Sequence, residues 1–226
     1  MNARFLGEGL PGVFVLAESG EQADDSVRIA GVGYSEFKQS AEAAISEISA
    51  GTARIDHIVR ELKSFVGGEV KGSIEPTDVN QVIRTVVDLS RHLIRKATGY
   101  FALNLNQALP RVEADRIRLE QVVLNLVQNA CQSLPDRNRS VTVSTRHDRT
   151  SNTVLIEVAD QGIGIPEADL DLVSDPFFTT RRSVGGTGLG LSVSSRIVRD
   201  HGGTLSFRSQ VGRGTTAVVS LPACNV

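Results

Sequence analysis

The 226-residue chain contains no tryptophan, and aromatic residues make up only 4% of it. Single-stranded nucleic acids bind surfaces on which aromatic side chains stack against the bases, so the composition argues against this class of partner. The formal net charge is -2 at pH 7, which provides no general attraction to nucleic acid or to an anionic membrane. We therefore expect no nucleic-acid partner.

Cysteines and long apolar runs are also scarce. Cys131 and Cys224 are far apart and form no CxxC pair, which is typical of reduced thiols in a cytosolic protein. The apolar run VFVLA near the start is far shorter than the roughly 20 residues of a transmembrane helix, and no cationic segment of a signal peptide precedes it. These features predict a cytoplasmic location and no membrane contact from this chain.

Residues 34–70 have the pattern of a helical segment that associates with another helix. Apolar or small residues recur there at alternating steps of four and three, the spacing of a helix that packs along a narrow seam. The seam residues are Ala41, Ile45, Ile48, Thr52, Ile55, Val59, Leu62 and Val66. An ordinary core helix would also fit, but a seam of more than three heptads favours a helical hairpin or a dimer helix. Residues 1–33 show no clean period and receive no assignment.

Residues 71–226 alternate between helix and strand patterns. Apolar periodicity predicts helices over 79–94, from Asp115 to about 133, and over 188–203. Strands are predicted over 100–105, 140–146 and 153–160, with a closing hairpin formed by TLSFRS and TTAVVSL. The pattern predicts an α+β domain in which one layer of helices covers a mainly antiparallel sheet.

The helix QVVLNLVQNACQSL carries two amide side chains on an otherwise apolar surface. Asn125 and Asn129 are four residues apart, so they share one helix face. Their carbonyl oxygens suit Mg²⁺, a hard cation that binds substrate phosphates. Two buried asparagines bonded to neighbouring backbone would produce the same pattern, and the helix alone does not decide between the two readings.

Two glycine-rich stretches flank a basic loop. In DQGIGIP, Asp160 follows a strand, and its carboxylate is suited to accept a hydrogen bond from an exocyclic amine, although acid–glycine turns are common. GGTGLGL, over 185–191, opens a helix, where backbone N–H groups and the helix dipole favour an anion such as a polyphosphate. Between them, DPFFTTRRSVGG offers Thr179, Thr180 and Arg181 to phosphate.

In this order the four stretches resemble the ATP-binding catalytic domain of two-component sensor histidine kinases of the nitrogen-regulation type. NLVQNA resembles the N box, DQGIGIP the first glycine box, DPFFTT the F box and GTGLGLSV the second glycine box. The resemblance covers roughly residues 75–226, and ARIDHIVRELKSF resembles the second helix of the family's dimerisation and phosphotransfer hairpin. It implies a histidine kinase-like ATPase fold, an α/β sandwich preceded by a helical dimerisation segment.

The resemblance also implies roles for single residues. Asn129 would coordinate Mg²⁺ with the support of Asn125, and Asp160 would accept the adenine amine of ATP. Further residues would line the ATP site: Gly162, Gly164, Ile165, Thr179, Thr180, Arg181, Gly186, Thr187, Gly188, Leu189, Gly190, Leu191 and Thr215. The implied reaction is transfer of the γ-phosphoryl group to a histidine, for relay to the receiver domain of a response regulator, by a homodimer.

The chain departs from the family pattern in two ways. Residues 34–50 contain no histidine, whereas the family's phosphoacceptor lies in the first hairpin helix. His57 falls in the segment that resembles the second helix, which does not normally carry the phosphate. The absence leaves open an alternative, a nucleotide-gated binding module or a related ATPase without histidine transfer. In addition, Gln132 and Ser133 stand where many relatives carry a lysine shortly after the N box.

Overall fold

The computed structural model describes residues 28–29, 31–66, 73–180 and 187–224, and the chain divides into two units, residues 1–60 and 61–226. The first unit begins with a short hairpin of β1 (Arg28–Ile29) and β2 (Val32–Gly33). One continuous helix, α1 (Tyr34–Val66), follows and extends past the boundary of the unit. Residues 34–66 therefore form a single helix and not a hairpin of two helices. None of the helices in the described ranges is long and apolar enough to cross a membrane.

The seam of α1 is exposed to solvent wherever its larger apolar side chains are described. The exposed fractions are 57% for Ile45, 56% for Ile48, 64% for Ile55 and 41% for Val59. The four residues follow the predicted spacing of three, seven and four, so they form one apolar stripe along the helix. A stripe of this kind has the form of a contact surface for another helix.

The second unit contains four α-helices in its described part. They are α2 (Val79–Leu89), α3 (Arg91–Ala97), α4 (Arg116–Ser133) and α5 (Gly190–Asp200). Asp78 and Asp115 cap α2 and α4, because their side chains accept hydrogen bonds from backbone N–H groups of the first turns. The single helix predicted over 79–94 is wrong, since Ser90 leaves the helical conformation and separates α2 from α3.

The main sheet has five strands in the order β4-β6-β7-β9-β8. Its strands are β4 (Tyr100–Leu105), β6 (Ser140–Asp148), β7 (Thr153–Asp160), β8 (Thr204–Gln210) and β9 (Gly214–Pro222). Only β4 and β6 pair in parallel, and the other three pairings are antiparallel. Two short strands that the sequence patterns did not predict, β3 (Glu75–Thr77) and β5 (Val112–Ala114), form a separate antiparallel pair.

The helices cover one face of the sheet, as the α+β prediction requires. Residues of α2, α4 and α5 form one buried cluster with alternate residues of the central strands. Val143, Ile156 and Val219, for example, are fully buried on neighbouring strands. The fold is therefore a mixed, mainly antiparallel sheet with one helix layer, and the predicted fold class is confirmed.

A buried histidine fixes α4 against α5. The Nε2 atom of His201 accepts a hydrogen bond of 2.9 Å from the backbone N–H of Asp115, so this nitrogen carries no proton. Nδ1 therefore carries it and donates to the carbonyl oxygen of Ile197 over 2.7 Å. An ion pair of 2.6 Å between Arg118 and Asp200 lies beside this contact. Together they hold α4 and α5, which carry the candidate site, in one arrangement.

Candidate functional site

A polar stripe runs along one face of α4. Asn125, Asn129 and Ser133 are spaced by four residues, so they lie above one another on the helix and extend over about 12 Å. All three are half-buried, whereas Leu126, Val127 and other residues on the opposite face are buried in the core. The first two residues of this stripe were predicted from the sequence, and Ser133 is its third member.

The second glycine loop lies at the Asn125 end of the stripe. The side-chain amide of Asn125 donates to Oγ of Ser194 on α5 over 2.9 Å, and its oxygen accepts from the amide of Asn129 at 3.4 Å. A Cβ atom on Gly190 would lie only 2.5 Å from that oxygen. A side chain at position 190 would therefore displace the Asn125 amide from its present orientation. These contacts orient both amides, with the nitrogen of Asn129 directed toward Asn125.

The Asp160 carboxylate lies at the other end of the stripe. Its Oδ1 atom accepts hydrogen bonds from the backbone N–H groups of Gly162, at 2.7 Å, and Thr215, at 3.3 Å. Thr215 was predicted to lie close to the same ligand as Asp160, and the structure brings the two residues together. Gly214, with φ of 106°, has no room for a side chain because its backbone packs against the carbonyl of Asp160.

The first glycine loop is fastened between α4 and the β8–β9 turn. The N–H of Ile163 donates to the carbonyl of Ser133 at 3.1 Å, and the N–H of Ile165 donates to Oγ of Ser209 at 2.8 Å. Gly164 has φ of 73°, and a Cβ atom there would collide with the backbone of Gln210. This glycine is required by packing within the protein itself, a reason that the sequence pattern did not indicate.

The segment before the second glycine loop is joined to it at one backbone contact. The N–H of Phe177 donates to the carbonyl of Gly188 over 2.9 Å, and both residues have positive φ, 67° and 71°. Thr187 accepts a hydrogen bond of 3.2 Å from the N–H of Leu189, and Leu191 lies in the first turn of α5. Of the predicted phosphate-loop residues, Thr179 and Thr180 are described, whereas Arg181 and Gly186 lie outside the described residues.

A buried thiol lies beneath the Asp160 end of the site. Burial, and to a smaller extent the nearby negative charge of Asp160, together raise the pKa of Cys131 to about 11. Cys131 belongs to the buried face of α4, two residues before Ser133. The thiol is therefore protonated at neutral pH.

The structure thus brings most of the predicted site residues into one region. Two glycine loops approach opposite ends of the α4 stripe, with Asp160 and Thr215 at one end and Gly190 at the other. Two further residues, Ser133 and Ser194, belong to this region and were not predicted as members. A signal for Ser133 was present in the sequence, since it continues the four-residue spacing of the two asparagines.

The chain shows similarity to one family model and to many sensor kinases. Residues 114–225 match the family described as histidine kinase-, DNA gyrase B-, and HSP90-like ATPases. The sensor histidine kinase ZraS of Escherichia coli (strain K12) is 34% identical over 169 residues, which are 75% of this chain and 35% of ZraS. The chain thus spans about a third of that curated relative.

Two solved structures show the same architecture. The catalytic domain of the histidine kinase ThkA in a nucleotide-free form is 33% identical, with a TM-score of 0.59, and the match covers 67% of this chain and 98% of that domain. A complex of ThkA with the response regulator protein TrrA matches at 25% identity and a TM-score of 0.68, covering 98% of this chain and 60% of the ThkA chain.

Proposed function

Because this chain belongs to the family of histidine kinase catalytic domains, we propose that it binds Mg-ATP and transfers the γ-phosphoryl group to a histidine side chain. The observation that carries the proposal is the α4 stripe, which runs between two glycine loops with the Asp160 carboxylate at one end. The stripe extends over about 12 Å. We propose that the domain acts in the cytoplasm, where ATP is available.

The residues at the two ends of the stripe fit the two ends of ATP. Asp160 offers acceptor oxygens for the adenine amine, and the backbone bonds to Gly162 and Thr215 fix its carboxylate in place. The glycine loop and N-terminus of α5 offer backbone N–H groups and a partial positive charge for the triphosphate. Thr179, Thr180 and Arg181 are proposed to contact the phosphates as well.

Asn129 is the residue proposed to hold Mg²⁺. Its amide nitrogen is directed to Asn125, which leaves the carbonyl oxygen as the metal ligand. Amide oxygens are suitable ligands for Mg²⁺, which otherwise keeps waters and binds substrate phosphates. No group of three or more His, Cys, Asp or Glu side chains in the described ranges could hold a metal ion.

The chain's own contribution to the reaction is positioning. When bound, Mg-ATP would supply the phosphoryl group, and the metal would offset the charge on the phosphates. Asp160 fixes the base at one end of the stripe, and Asn125, held by Ser194 at the other end, orients Asn129 in the middle. Phosphoryl transfer depends mainly on such alignment, because it asks little covalent chemistry of the protein.

We propose that the accepting histidine lies on a separate segment or chain. His201 is engaged through both ring nitrogens in the fold, so it is a structural residue. His92 lies on α3 and His147 lies on β6, so neither belongs to α4, which carries the stripe. His57 lies in α1, and its side chain lies outside the described residues. The phosphorylated histidine would then pass the phosphoryl group to an aspartate of a response regulator receiver domain.

A second candidate function is a nucleotide-gated binding module without transfer. The observation that favours it is the lack of a histidine in residues 34–50, the segment that precedes ARIDHIVRELKSF. Nucleotide binding would then control docking on a partner, with the same site residues. Related ATPases without histidine transfer belong to the same alternative.

Incubation with γ-labelled ATP and Mg²⁺ separates these functions. The chain is tested alone and with an added histidine-bearing hairpin from a related kinase. Acid-labile, alkali-stable label indicates a phosphorylated histidine. Such label on the hairpin supports a kinase whose acceptor histidine is separate, and such label on the chain itself makes His57 the histidine to substitute next. Absence of label from both, despite measured ATP binding, contradicts the kinase proposal and favours the binding module.

A further inference from the structure

Ser133 occupies a position in the site that the kinase proposal leaves without a role. It is the third member of the α4 stripe, four residues after Asn129, and it is half-buried at the Asp160 end. Its backbone carbonyl accepts the N–H of Ile163, so the first glycine loop lies directly on this residue. The side chain is therefore placed where the base of the nucleotide is proposed to bind.

The hydroxyl group of Ser133 is held as an acceptor. Oγ donates its only hydrogen to the carbonyl of Ala130 over 2.7 Å. A serine hydroxyl has one donor and two acceptor positions, so an incoming group that meets this oxygen must itself be a donor. Because the bond to Ala130 runs along the helix, it fixes the orientation of the side chain on α4.

The oxygens of Ser133 and Asp160 converge on one point. A Cβ atom placed on Gly162 would overlap Oγ of Ser133 and would lie 2.6 Å from Oδ1 of Asp160. The Cβ position itself therefore has no room for an atom, and both acceptor oxygens lie on the same side of the Gly162 backbone, close enough to each other for one amine group beyond Gly162 to meet both. The exocyclic amine of adenine carries two N–H donors in one plane, and a pair of convergent acceptors is complementary to it.

We infer that Ser133 is a specificity-determining residue, an inference that rests on the proposed ATP site. Its hydroxyl oxygen accepts one N–H of the adenine amine, and Asp160 accepts the other. Guanine carries a carbonyl oxygen at the corresponding ring position. That oxygen would face two acceptors without a hydrogen between them, an arrangement that leaves buried polar atoms unpaired. The pair therefore selects adenine over guanine by chemistry rather than by size.

The test compares ATP with purine riboside triphosphate, which lacks only the exocyclic amine, by calorimetric titration with Mg²⁺. Ser133→Ala is expected to weaken ATP binding about fivefold, the usual effect of one hydrogen bond, and to leave binding of the analogue unchanged. Ser133→Cys keeps the size of the side chain but offers only a weak acceptor, and it is expected to behave in the same way. Ser90→Ala removes a buried hydroxyl that has no hydrogen-bond partner among the described residues, and it is the control.

The ratio of the two affinities separates a specificity role from a structural one. If Ser133 only stabilised the end of α4, both ligands would weaken equally and the ratio would not change. Suppose that the wild type binds ATP and that Asp160→Asn weakens this binding. An unchanged ratio of the two affinities in both Ser133 variants would then overturn the inference about Ser133 and leave the proposed function standing. No ATP binding by the wild type would overturn both this inference and the proposed function.

Discussion

The Cys131 thiol and the Asp160 carboxylate are neighbours at the junction of α4 and the first glycine loop, and the pKa of the thiol is about 11. Burial is the larger cause of the raised value and the charge of Asp160 the smaller one. The relationship joins a core residue of α4 to the residue proposed to recognise the base.

The raised pKa of Cys131 predicts a loss of stability in alkali. The folded-state pKa of about 11 lies above the ordinary value of 9.0, so the protonated thiol favours the folded state below pH 9, and this contribution is lost as the pH rises to 11. Urea unfolding of the wild type and Cys131→Ala from pH 7 to 11 measures it. We expect the free energies of unfolding to converge above pH 9, and parallel curves would contradict the assignment.

Gly190→Ala tests whether the contact with Asn125 orients the α4 stripe. The new Cβ would lie 2.5 Å from Oδ1 of Asn125, so the amide must rotate away and lose its bonds to Ser194 and Asn129. Alanine is the better helix former, so the free energy of unfolding should change by no more than about 1 kcal/mol. We expect at least about tenfold weaker binding of Mg-ATP by calorimetry.

Gly99→Ala is the matched control for that substitution. Its new Cβ would lie at an ordinary distance of 3.8 Å from the carbonyl of Arg137, and no site residue is near. Unchanged ATP affinity in Gly190→Ala, with stability also unchanged, would show that the orientation of Asn125 does not matter for binding.

His201→Ala should destabilise the fold by about 2–4 kcal/mol. The substitution removes two hydrogen bonds and leaves the N–H of Asp115 buried without a partner. His147→Ala is the control, because that histidine has a single longer contact of 3.3 Å with Asn152, and we expect a change below about 0.5 kcal/mol. Similar urea midpoints for the two variants would be inconsistent with a structural role for His201.

The exposed stripe on α1 predicts a homodimer. Ile48→Glu places a charge in the middle of the stripe and should shift the monomer–dimer equilibrium toward monomer by at least about tenfold, as measured by light scattering over a dilution series. Ala43→Glu introduces the same charge on an exposed position outside the stripe and should have little effect. A wild-type chain that is monomeric at micromolar concentration would rule out this contact.

The fold was predictable to the extent that its elements are long and periodic. The alternation of VTV and VLIEV identified β6 and β7, and the acid before α4 identified its cap. The strands β3 and β5 were missed because three residues are too few to show a period of two. The break at Ser90 was missed because the apolar spacing continues across it into α3.

The site was predictable as a set of motifs but not as a set of contacts. The sequence indicated that glycines lie beside a ligand, whereas Gly164 and Gly190 are required by packing against Gln210 and Asn125. These approaches join residues far apart in the chain, and no local pattern reports them. For the same reason Ser133 was noted only for the lysine it replaces, although its place beside Gly162 makes it part of the site.

The most direct test of the nucleotide site is calorimetric titration of Mg-ATP into Asp160→Asn. The asparagine oxygen can still accept the N–H groups of Gly162 and Thr215, so the fold should be retained. The charge is lost, however, and an N–H₂ group would meet the adenine amine. Asp148→Asn is the matched control. Asp148 accepts the N–H of Thr150, two residues later, just as Asp160 accepts the N–H of Gly162, but it lies at the opposite end of β6 from Asp160. We predict that Asp160→Asn binds ATP more than about tenfold more weakly while Asp148→Asn binds it normally; equal affinities in the two folded variants would contradict the account.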